Sequence, residues 1–83
     1  MGFSVYLKGE ATGFIKIKNM NNNDTINTLT NKLRDKLKTD KLIICMYEGE
    51  ILDKDKTLEY YKIKRHTWIE YSTNYRGGKL KNK

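Results

Sequence analysis

Eighty-three residues, 37% of them hydrophobic, suffice for one small domain with a modest core and are too few for two. The single cysteine, Cys45, excludes an internal disulfide and a cysteine-cluster metal site, which fits a reducing compartment. A net charge of +7 raises nucleic acid as a partner class to be weighed, whereas no stretch approaches the ~20 apolar residues of a membrane span.

The first eight residues lack the basic-then-apolar layout of a signal peptide, so a cytoplasmic or nuclear setting is expected. From Phe3 to Lys8 the chain alternates, placing Phe3, Val5 and Leu7 toward a core and Ser4, Tyr6 and Lys8 toward solvent. Residues 9–13, with a glycine at each end, have the length of a hairpin connection. Alternation then resumes from Phe14 to Lys18 with Ile15 and Ile17 inward, which predicts an antiparallel hairpin.

A polar loop follows at 19–23, with Met20 as its anchor into the core and Asn23 or Asp24 as helix cap. Ile26, Leu29, Leu33 and Leu37 are then spaced by three, four and four, the stripe of an amphipathic helix ending near Lys38. Lys32, Arg34, Lys36 and Lys38 crowd its C-terminal half, where cations complement the helix dipole. Leu42 to Tyr47 is a β-branched apolar run suited to a central strand. Glu48-Gly49 marks a turn, Ile51-Leu52 a brief edge strand, and residues 53–56 a charged loop. Residues 57–63 predict one helical turn burying Leu58, Tyr61 and Ile63. Thr67 to Ser72 alternates again, with Ile69 and Tyr71 inward.

The expected fold class is α+β: a mixed sheet of four to five strands packed on one helix, in the order β-β-α-β-β. Residues 1–76 form the domain, and residues 77–83 a flexible tail. Just beyond the last strand stands Arg76-Gly77-Gly78. Paired glycines finish a strand poorly, since each weakens it and packs nothing. They suit a tail that lies extended in a narrow protein channel, where any Cβ would clash, although basic glycine-containing tails are equally common in disordered and RNA-binding segments.

In this order and spacing, Asp24-Thr25-Ile26, Leu33, Gly49, Asp53, Thr57-Leu58, Tyr61, Ile63 and Arg76-Gly77-Gly78 resemble ubiquitin and its relatives, over nearly all of residues 3–78. The resemblance implies a β-grasp fold and a protein modifier rather than an enzyme. Its Gly78 carboxylate would be joined to amines of target-protein lysines once a processing protease has removed residues 79–83. Activating and conjugating enzymes would supply the nucleophiles. Gly78 would carry the bond, Gly77 would fit the channel, and Arg76 would face acidic walls. No cofactor and no metal are implied, and the modifier would be a monomer.

The sequence departs from the family at the aliphatic patch that ubiquitin uses for docking. The matching positions hold Glu10, Met46 and Ser72, with Glu70 at the patch edge. Asn74 replaces an arginine that helps activating enzymes choose their modifier, and Glu50 replaces the lysine of the best-known chains. The protein-interaction surface is therefore expected around Ile44, Met46, Gly49, Trp68 and Glu70. Trp68 should point away from the helix, either packed under loops or part of a surface patch, with partial burial favoured.

Other residues read more plainly. Cys45 sits mid-strand as an inert core thiol. His66, the only histidine, lies in a basic turn without a partner base. Tyr6, Tyr47 and Tyr75 among the lysines resemble an aromatic-basic platform but lack an ordered pattern, so nucleic acid is not favoured. A non-conjugated interaction module is the first alternative, and a nucleic-acid binder on the same fold the second.

Overall fold

The computed structural model describes residues 2–9 and 13–73. One helix packs on a mixed five-stranded sheet. The strands are β1 (Phe3–Lys8), β2 (Phe14–Met20), β3 (Ile44–Tyr47), β4 (Glu50–Ile51) and β5 (Trp68–Ser72), and the helix is α1 (Ile26–Leu37). A single 3₁₀ turn, Glu59–Tyr61, precedes β5. Across the sheet the strands lie in the order β2-β1-β5-β3-β4. The central pair β1 and β5 is parallel, and every other neighbouring pair is antiparallel. The chain order thus holds one strand more than β-β-α-β-β, because the two residues of β4 pair with β3.

The alternation places side chains as expected. Val5, Leu7, Ile17, Ile69 and Tyr71 are buried on the helix side, and Met20 anchors the end of β2. Ile26, Leu29 and Leu33 bury the helix stripe against them, and Leu52, Leu58 and Ile63 close the far end of the core. Among the described residues no helix is long and apolar enough to cross a membrane.

The helix start corrects the expected cap. Thr25, not Asn23 or Asp24, caps α1, its hydroxyl accepting from the Thr28 N–H at 3.2 Å. The Asp24 carboxylate is already engaged, accepting from the Asn21 N–H at 2.8 Å within the preceding turn. The charged segment 53–56 is a loop, as expected, and it packs on the start of the helix. The carbonyls of Lys56 and Lys54 accept from the N–H groups of Ile26 and Asn27, at 2.9 and 3.1 Å. Leu29 N–H reaches Thr25 O, so all four donors of the first turn are satisfied without an acidic side chain.

At the other end Lys38 adopts the left-handed conformation, with φ 54°, a position that glycine usually fills. A Cβ there is strained, so Lys38→Gly is expected to raise stability by ~0.5–1 kcal/mol. Urea melts check it; a loss would mean that the side chain contributes more than its backbone strain costs. The β3–β4 turn is better matched: Glu48 and Gly49 take φ 54° and 80°, the paired positive values that join two strands with the right twist.

Candidate interaction face

The helix covers one face of the sheet, and among the described residues no helix packs on the other. On that outer face the register sets out a grid. Phe14, Lys8, Glu70, Met46 and Ile51 form one row across all five strands, from the pairs Lys8↔Phe14, Lys8↔Glu70, Met46↔Glu70 and Met46↔Ile51. The next row holds Lys16, Tyr6 and Trp68.

Four rings gather where β2, β1 and β5 meet. Tyr6 stacks on Trp68 with centroids 5.0 Å apart and planes at 26°, and on His66 at 5.7 Å and 29°. Phe14 meets Tyr6 and Trp68 edge-on at 5.5 and 5.3 Å. Such pairs contribute ~0.5–1.5 kcal/mol each beyond area burial, so the cluster also fastens the three strands. Much of it nevertheless stays in solvent: Phe14 is 57% and Trp68 52% exposed. Inward Ile69 and Tyr71 set Trp68 on the outer face, where Tyr6 and Phe14 flank it and about half of its surface is covered.

Four of the five residues expected at the interaction surface, Met46, Gly49, Trp68 and Glu70, meet beside this cluster. Met46 is half-buried on β3, while Glu70 and Gly49 are exposed. Met46, Trp68, Glu70 and Gly49 line an open notch of about 280 Å³ between β5 and the β3–β4 turn, with Lys8 beside them. Ile44 shares the outer face but is only 8% exposed, so it presents little surface. Arg76, Gly77 and Gly78 lie outside the described residues, as do Glu10, Asn74 and Tyr75.

Charge is unevenly spread over the face. Lys8, Lys16 and Lys18 are exposed on β1 and β2, and Lys64 and Arg65 in the turn before β5. Of the carboxylates, Glu70 lies on β5 between Lys8 and Met46 and Glu48 in the β3–β4 turn, whereas Glu50 pairs with core-packed Tyr47 and so belongs to the helix side.

Cys45 is 2% exposed, and burial pushes its thiol up to about 12, with Lys54 pulling weakly the other way. Such a thiol is a core side chain and not a nucleophile. Among the described residues no three His, Cys, Asp or Glu side chains converge as metal ligands. The chain matches no protein-family model and no curated protein.

Proposed function

We propose that the domain is a β-grasp, ubiquitin-like protein modifier, conjugated through the Gly78 carboxylate to amines of target proteins after removal of residues 79–83. The observation that carries this reading is the sheet order β2-β1-β5-β3-β4 under one helix, with Arg76-Gly77-Gly78 following within six residues of the end of β5. The pairing brings the last strand to the middle of the sheet, so the diglycine segment follows the strand held on both sides by neighbours.

In this reading the protein performs no chemistry of its own. A processing protease hydrolyses the Gly78–Lys79 peptide bond, an activating enzyme adenylates the freed carboxylate, and enzyme cysteines carry it as a thioester to a lysine amine. Gly77 and Gly78 thread channels with no room for a Cβ, and Arg76 pairs with acidic residues at their mouths. Buried Cys45 suits this division of labour, since a reactive thiol on the modifier would compete for the thioester. The setting is the cytoplasm or nucleus.

The open aromatic cluster, in place of an aliphatic docking patch, favours one second reading: a β-grasp module used for binding alone. The two part on a single experiment. The chain is tagged at its N-terminus in its own cells and followed by blot and intact mass. Conjugation gives adducts and a species ending at Gly78, both lost when Gly78 is deleted and reduced severalfold by Gly78→Ala. A single unprocessed species throughout sinks the modifier and leaves the module.

A further inference from the structure

The basic half of the outer face carries an inference that goes beyond the modifier reading and does not rest on it. We propose that this face binds single-stranded nucleic acid. Bases stack on the open rings of Trp68 and Phe14, and the phosphate chain runs along Lys8, Lys16 and Arg65.

Two independent features meet here. The first is the aromatic surface. A domain this small loses solubility by exposing large rings side by side, yet Phe14 and Trp68 each keep about half their surface open. Their neighbour Tyr6 holds them in place, stacked on Trp68 at 5.0 Å and met edge-on by Phe14 at 5.5 Å. A ring fixed by its neighbours loses little freedom when a base lands on it. Every base offers a π-face, so such a platform accepts single strands without reading their sequence.

The second feature is charge. The cations lie on the strands and turn that carry the rings, on β1, β2 and the approach to β5. The carboxylates of this face lie on its other side, Glu70 next to Lys8 in the outer row and Glu48 across the notch that Trp68 also lines. A polyanion is therefore drawn to the β2–β1 side of the rings and repelled from Glu70 and Glu48 beyond them, which gives the strand one track over the rings. A duplex would offer the phosphates but not the unstacked bases. An acidic protein segment would meet the same charge but would gain nothing from rings spaced as a stacking surface.

Trp68 is the only tryptophan, so its emission reports the contact directly. The full chain is titrated at low salt with fluorescein-labelled oligothymidylate and oligouridylate of about twelve nucleotides. Both anisotropy and Trp68 emission are followed. Binding is expected to quench Trp68 and to weaken with salt, log K falling against log salt with a slope of about −2 for three phosphate contacts. Tighter binding of the uridylate would assign RNA, and of the thymidylate DNA; either supports the proposal.

Phe14→Ala and Trp68→Ala are each expected to weaken binding about 10-fold. Lys16→Glu should weaken it severalfold, whereas Lys36→Glu, the same charge change on the helix, should have less than about a 2-fold effect. Both aromatic substitutions fall on open side chains, and anisotropy with Lys16→Glu and Lys36→Glu decides the matter should either fail to fold. Any of the following results would overturn the proposal. One is equal loss from Lys16→Glu and Lys36→Glu. Another is a duplex of the same length binding as tightly as the single strands. The third is unquenched Trp68, or displacement of the oligonucleotide by a glutamate peptide of equal charge that quenches Trp68 as strongly.

Discussion

Leu33→Ala is expected to cost ~2–5 kcal/mol, the range for removing a buried leucine and leaving a cavity. Leu33 is fully buried at the middle of α1, within the cluster that includes Leu7, Ile69 and Tyr71. Among the described residues α1 is the only α-helix, so no second one can shift to fill that space. At ~0.05–0.15 kcal/mol per residue, a chain of this length has roughly 4–12 kcal/mol in total, and the substitution removes a large share of it. Urea melts followed by far-UV circular dichroism measure the effect. Lys36→Ala, on the exposed side of the same helix, should stay within ~0.5 kcal/mol. A Leu33→Ala loss no larger than that of Lys36→Ala would mean that the helix packs in another register.

Cys45 should be almost inert in the folded protein. Burial lifts its thiol from an ordinary value of 9.0 to about 12, so near pH 8 the reactive thiolate is about a thousandfold scarcer than in the unfolded chain. Ellman's reagent should therefore label native protein at least about 10³-fold more slowly than protein in concentrated urea. The same shift sets a pH dependence. Below 9.0 both states keep the proton and the contribution to stability is full. Between 9.0 and about 12 the unfolded state releases the proton first, and stability falls by up to ~1.4 kcal/mol per pH unit. Wild type should thus lose stability more steeply than Cys45→Ala from about pH 9 upward. Parallel slopes, or rapid native labelling, would place the thiol in solvent.

Much of the fold was legible because each element carries its own period. Alternation in β1, β2 and β5 names the inward residues, and the spacing of Ile26, Leu29, Leu33 and Leu37 names the helix stripe. Met20 was readable as an anchor because it stands alone in a run of asparagines. Lateral neighbours were not readable. Period tells which face a side chain takes, but not which strand lies beside it. Tyr6 and Trp68 became partners only through the parallel pairing of β1 with β5. His66, read alone as a residue of a basic turn, stacks on Tyr6 across the same pair of strands, and Phe14 meets Tyr6 and Trp68 through the antiparallel pairing of β1 with β2. Two polar residues in sequence, Asp24 and Thr25, both suit a cap, and only the Asn21 turn decides between them. The tail reading rests on sequence throughout, since residues 74–83 lie beyond those described.

The parallel run of β1 and β5 also fixes how the domain meets mechanical force. Tyr6, Leu7 and Lys8 lie against Trp68, Ile69 and Glu70, so Phe3 and Ser72 sit at opposite poles, roughly 23 Å apart at ~3.3 Å per residue. Tension applied at those two residues pulls the central strands past each other lengthwise. All the hydrogen bonds of that ladder are then strained together, not opened one after another. Tension across the β1–β2 hairpin would instead peel β2 from the edge, one pair at a time. A machine that drags the domain in from its C-terminal side against a hold at the other end therefore pulls along its stiffest direction.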